Sequence, residues 1–345
     1  MKLNSWQKVQ YRLLWWSCRA VGLLPERVLY FCLGGLIRLI LYRLVRYRRQ
    51  VVRTNLAHSF PEKSEAERRE IERKFYHHLS EVFVDTILLA SISRKRICER
   101  MVYSNVEEVE AAMSGRSWIS AMSHFGSWEL TINYVCHTDH NVLAVYRPLH
   151  NRVFDRFYHE ARSRFGTQPV AMNDTLREVI RGHRPGERPV IVAMIADQTP
   201  PVEEIKHWFR FLNQDTPFFS GLEKISTRFG MPVYFMYIRK CAPHCYDAEL
   251  QLIYDGKEHL EEYELTRRYI DKLEMMIRES PELWMWSHKR WKHSRESVAR
   301  HRESVRKPLQ RKNLLPDKRY PPRGSDITPD SIWHIWQCRT QGLHS

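Results

Sequence analysis

A chain of 345 residues with 43% hydrophobic and 12% aromatic content is long and apolar enough to bury a full core, which argues against disorder. Its formal net charge of +15 selects anionic partners: nucleic acid, acidic lipid headgroups or an acidic carrier protein. The seven cysteines are scattered, odd in number and preceded by no signal-peptide cleavage pattern, so reduced thiols facing a cytosol are expected.

From Val21 to Val45 the chain is rich in Leu, Ile, Tyr and Phe but interrupted by Glu26-Arg27, Arg38 and Arg43. Its uninterrupted apolar stretch, Val28 to Ile37, falls well short of the roughly 20 residues a spanning helix wants. Residues 1–50 therefore read as an anchoring segment whose helix lies in or on a membrane. Its Arg side chains would snorkel toward phosphates, with Trp6, Trp15 and Trp16 near headgroup level. The basic exit Arg46 to Arg53 would face the anionic cytoplasmic leaflet. The same Leu and Tyr spacing also fits a core helix.

Ser64-Glu65-Ala66-Glu67 is a capping box opening a helix to about Ala90, with Phe75, Leu79, Val82, Phe83 and Ile87 on its apolar side. The apolar run Trp118 to Met122 reads as a buried strand. Directly after it, Ser123-His124-Phe125-Gly126-Ser127-Trp128-Glu129 sets an imidazole and a carboxylate in an H-x4-E arrangement. On one regular helix, five residues at about 100° each would leave the two side chains about 140° apart. They cooperate only if the chain turns between them. Gly126 permits the turn, Ser127 fits an N-cap, and Glu129 in a first turn suits the helix dipole. The chemistry such a pair suits is general base catalysis: neutral imidazole takes a hydroxyl proton while the carboxylate fixes its tautomer. Alone, the pattern equally fits a hydrogen-bonded loop histidine and a solvated cap, since 17 histidines make accidental spacings easy.

Beyond it come a helix to about Cys136, a strand Val142 to Tyr146 ending in Arg147-Pro148, and a helix from about Arg152 to Phe165. A strand at Pro169 to Met172, a helix from Asp174 to about Gly182 and an apolar strand Pro189 to Ala196 ending in Asp197-Gln198 follow. Helix Gly221 to Phe229, strands Pro232 to Arg239 and Tyr246 to Tyr254, and helix Tyr263 to Glu279 complete the pattern. This alternation predicts an α/β domain over 51–293, with a mixed, largely parallel central sheet flanked by helices. Ligands of such sheets bind outside the carboxyl ends of the strands, where His124, Arg147 and Asp197 all fall. Arg147 suits a phosphate or a developing oxyanion, or else a structural ion pair. Asp197-Gln198 either shapes the pocket or caps a loop.

Cys241-Ala-Pro-His-Cys245 has no second cluster to complete a tetrahedral site, so no metal is expected. Residues 294–345 are polar and strongly basic, a mobile tail or a solvated helix, with Trp333 and Trp336 available to tuck back.

Several segments together resemble the bacterial lipid A biosynthesis acyltransferase family, within the lysophospholipid acyltransferase-like group. They are Tyr47-Arg48-Arg49 with Asn55-Leu56 and Ser59-Phe60-Pro61; His124 to Glu129; Tyr146-Arg147-Pro148 with Asn151 and Asp155; Ala196-Asp197-Gln198; Phe211 to Phe219 with Gly221 and Glu223-Lys224; and Trp284 to Lys292. The family's turn more often reads Gly-Asn-Trp-Glu, so Ser127 is a small departure. The resemblance implies an O-acyltransferase on the cytoplasmic face of the inner membrane. It would move a fatty acyl chain from acyl carrier protein, or acyl-CoA, to a hydroxyl of a lipid A precursor, with no cofactor beyond that co-substrate. It makes His124 the base, Glu129 its partner, and Arg147, Asp197 and Gln198 the lining of the active site. Arg290 would meet an acceptor phosphate, and Trp128, Phe218 and Phe219 would wall the acyl channel, although core packing explains the aromatics equally well. The implied partners are an acidic carrier protein, an anionic glycolipid and the membrane surface. A lysophospholipid or aminolipid acceptor is the alternative. Nucleic-acid binding rests on charge alone, because no nucleic-acid-binding motif is present.

Overall fold

The computed structural model describes residues 3–184 and 186–311, in two units, Met1–Lys292 and one beginning at His293. In the second unit Arg295–Arg311 is helical; the expectation for Trp333 and Trp336 lies outside the described residues.

The first unit is built on a seven-stranded sheet of order β1-β9-β8-β2-β5-β3-β4. The strands are β1 (Met101–Tyr103), β2 (Trp118–Met122), β3 (Asn141–Tyr146), β4 (Gln168–Ala171), β5 (Val190–Ile195), β8 (Val233–Ala242) and β9 (Cys245–Tyr254). Between β5 and β8, Phe209–Phe211 (β6) and Gln214–Thr216 (β7) form a separate antiparallel pair. β8, β2, β5, β3 and β4 run parallel, and only the β8–β9 pairing within the large sheet is antiparallel. The α/β expectation thus holds. β2 is central and buried at every position, which is why it reads as a continuous apolar run without alternation.

The helix Glu65–Leu88 begins at Ser64 with the expected capping box. It buries Phe75, Leu79 and Val82, while Phe83 faces outward at 42% exposure. The helix Arg49–Ser59 inserts Asn55, whose amide donates to the carbonyls of Trp286 and His288 at 2.9 and 3.1 Å.

The N-terminal helices Ser5–Val21 and Glu26–Leu44 meet at 111°. Gly22 stands at the bend because a Cβ there would lie 1.9 Å from Ser91 Oγ. Among the described residues no single helix is long and apolar enough to cross a membrane. The pair nevertheless exposes Trp6, Leu13, Trp16, Leu23, Phe31 and Leu44, each by more than 60%. Trp15 differs from its neighbours, packing its ring against Phe157 with centroids 5.8 Å apart.

Candidate active site

β2 and β5 are adjacent, parallel and in register, Met122 opposite Ile195. Both chains run two residues past their last strand position before a functional side chain, so His124 falls opposite Asp197. The bond from Ala196 N–H to Met122 O continues the pairing into that overrun. His124 Nδ1 lies 2.7 Å from Asp197 Oδ1, and the His124 backbone N–H donates to Oδ2 at 2.9 Å. A third donor, Trp284 Nε1–H, reaches the same Oδ2 at 2.9 Å. Asp197 is buried, which by itself would raise its pKa; the facing His124 and these hydrogen bonds outweigh burial and hold it below the usual carboxylate range. In the neutral ring an ionised Asp197 places the proton on Nδ1, which leaves Nε2 to accept. The imidazole keeps 19% of its side chain exposed, and Gln198 Nε2 stands 3.1 Å from His124 Nε2.

The loop carrying the histidine is fixed from several sides. Gly126 adopts φ +57, and a Cβ would meet Ile238 at 3.1 Å, so the turn requires glycine. Phe125 bridges Trp284; Gly126 N–H donates to Leu283 O, and Met285 N–H to His124 O. The same short pairing that holds the loop therefore delivers Trp284 to Asp197. Ser127 does not cap the following helix. Its hydroxyl donates to Asp85 Oδ2 at 2.5 Å, and Asp85 in turn pairs with buried Arg100 and accepts from Tyr30. The segment Trp128–Cys136 is a 3-10 helix, tighter than the α-helix its pattern suggests.

Glu129 makes no hydrogen bond or ion pair with His124 among the described residues. It holds Arg162, on the helix Arg152–Ser163, through two bonds of 2.9 and 2.6 Å. Burial would raise the pKa of Glu129, but Arg162's charge and bonds, with a smaller contribution from His124, lower it. The carboxylate in contact with the imidazole is thus Asp197, 73 residues away. Sequence proximity pointed to the wrong neighbour because strand register brings the distant acid closer than the local turn does.

Arg147 is exposed one residue past β3 and has no ion pair among the described residues, which removes the structural-pair alternative. Arg290 is only 1% exposed, bonds Pro217 O at 2.7 Å and stacks 4.3 Å from the Phe218 ring centroid. Burial pushes its pKa down to about 9, so it remains a cation at neutral pH, but one turned inward and not presented to an acceptor phosphate. Phe218 is buried against Phe209, Phe211 and Tyr269, while Phe219 is half-buried. Trp128, also half-buried, sets its ring edge-on to His124 with centroids 5.2 Å apart.

Three further residues near the pair were not singled out in the sequence, although Trp284 and His288 lie in the resembling segment Trp284 to Lys292. Arg162 and Trp284 act across 33 and 87 residues of chain. His288 is held neutral close to the pair, its pKa pushed down to about 4 chiefly by burial.

The α/β fold thus sets an imidazole–carboxylate pair at the carboxyl edge of its parallel strands, where ligands of such sheets bind and where general base catalysis would find the groups it uses. Residues 3–293 match the family described as bacterial lipid A biosynthesis acyltransferase, and the chain belongs to that family. Its relatives include the lipid A biosynthesis myristoyltransferase of Escherichia coli (strain K12), 23% identical over 277 residues, covering 80% of this chain and 83% of the relative. Lipid A biosynthesis acyltransferase 1 of Shigella flexneri is similar to the same extent, 23% identical with 80% and 83% covered. Lipid A biosynthesis acyltransferase 2 of Shigella flexneri is 22% identical over 246 residues, 71% of this chain and 77% of the relative.

Proposed function

We propose that the protein moves a fatty acyl chain from an acyl carrier protein or acyl-CoA thioester to a hydroxyl of a lipid A precursor, with His124 as general base. The observation that carries this reading is the pairing of His124 Nδ1 with Asp197, which in the neutral ring leaves Nε2 free of a proton. The acceptor hydroxyl gives its proton to Nε2 as its oxygen attacks the thioester carbonyl. Asp197 stabilises the imidazolium that forms. Collapse of the tetrahedral intermediate breaks the C–S bond, and the imidazolium returns its proton to the leaving thiolate. Glu129 keeps Arg162 in place within the wall of the site, and exposed Arg147 offers a cation to anionic substrate groups or the developing oxyanion.

The exposed apolar residues of the two N-terminal helices, together with the net charge of +15, suit attachment to the anionic cytoplasmic face of the inner membrane. Both proposed substrates are acidic, so the same charge favours their encounter.

The test is acyl transfer by purified variants, with acyl carrier protein thioester and lipid A precursor in mixed micelles. His124→Ala and Asp197→Asn are expected to lower the rate by roughly 10²–10⁴-fold with unchanged folding. Full turnover by His124→Ala rejects the base assignment.

A further inference from the structure

The lone pair on His124 Nε2 is already occupied. In the neutral ring, with Nδ1–H given to Asp197, Nε2 can only accept, and the group 3.1 Å away is the carboxamide nitrogen of Gln198. A carboxamide has N–H groups to donate, so the contact is a hydrogen bond into the orbital that must take the substrate proton. Asp197 and Gln198, consecutive beyond β5, thus hold opposite nitrogens of one ring. We propose that Gln198 is a catalytic residue that fills the seat of the attacking hydroxyl and keeps His124 in its proton-accepting form until the acceptor displaces it.

The physical basis is a conflict of hydrogens. A second ring proton on Nε2 would point at the amide N–H, so the seated amide opposes protonation of the base. The acceptor's O–H is a donor of the same kind and replaces the amide without leaving the lone pair unpartnered. The charged and titratable groups facing His124 are Asp197 beyond β5, Glu129 from the 3-10 segment with Arg162 behind it, and His288 from the segment after Leu283; Arg290 faces Asp197 from that same segment. Substituting Gln198 alters none of them.

This inference rests on His124 being the base, and its test separates the two. The pH dependence of kcat/KM is measured for the full chain, Gln198→Ala, Gln198→Glu and His124→Ala, in the same micelle assay. Gln198→Ala is expected to move the acid limb up by about 0.5–1 pH unit, since a donor opposing the proton is gone. Its acceptor KM should fall by about threefold, because no amide has to be displaced. Gln198→Glu should move the limb up further, a carboxylate favouring the imidazolium. Acid limbs unmoved in both variants, with melting temperatures intact and His124→Ala inactive, overturn the role of Gln198 alone. An active His124→Ala overturns the base assignment and this inference together.

Discussion

His124 is held through both of its ring nitrogens, and a second imidazole nearby shapes how the fold responds to acid. His288 lies half-buried and neutral, its pKa lowered from the ordinary 6.5 to about 4 chiefly by loss of water contact. The unfolded chain therefore takes up that proton first, so stability is lost as pH falls from about 6.5 toward about 4. Asp197 and Glu129, both held below the usual carboxylate range, add losses at lower pH as they protonate. His288→Gln is expected to flatten the decline in melting temperature across the upper window. Differential scanning fluorimetry from pH 7 to pH 4 checks this, and an unchanged decline excludes His288 as its source. At this scale the place of His124 at a strand end was legible, because His-Phe-Gly follows five buried strand residues. Its acid was not. The sequence shows which residues end strands, but only tertiary pairing shows that β5 lies beside β2 in register.

The long helix Glu65–Leu88 and the loop of His124 are joined by a chain of buried polar groups, Ser127 to Asp85 to Arg100. Arg100 and Asp85 have side chains 0% and 1% exposed, so removing the carboxylate leaves a guanidinium stranded out of water. Asp85→Ala is expected to cost about 3–5 kcal/mol of stability, read from urea unfolding followed by circular dichroism. A cost below about 1 kcal/mol would show that the pair is solvated in solution. The helix itself was legible from its capping box and periodicity. Arg94–Arg100, β1 and the β6–β7 hairpin were not, for a shared reason: three to seven residues are too few to establish a period, and these elements exist only through contacts with distant partners.

For the whole molecule, the two N-terminal helices present indole and aliphatic surface beside many arginines, and neither is built to cross a bilayer. Binding that combines apolar insertion with attraction to anionic headgroups should weaken when either part is removed. Replacing Trp6, Trp16 and Phe31 together with Ser is expected to lower co-sedimentation with anionic vesicles by at least tenfold, and raising salt should weaken what remains. Undiminished sedimentation of the triple variant would place the attachment elsewhere. The interrupted apolar stretch of the sequence did not support a plain spanning helix; the bend at Gly22 was hidden, since the close approach of Ser91 that requires glycine there is a tertiary contact.

Because His124 and Asp197 overrun neighbouring strands by equal lengths, their separation is dictated by the hydrogen-bonded ladder and not by the length of the connections that lead away from it. Substitutions farther along those connections can thus leave the paired side chains at their spacing. Insertion of a single residue between Met122 and His124 would instead rotate the ring off its acid, so the ends of these two strands tolerate substitution far better than any change in length.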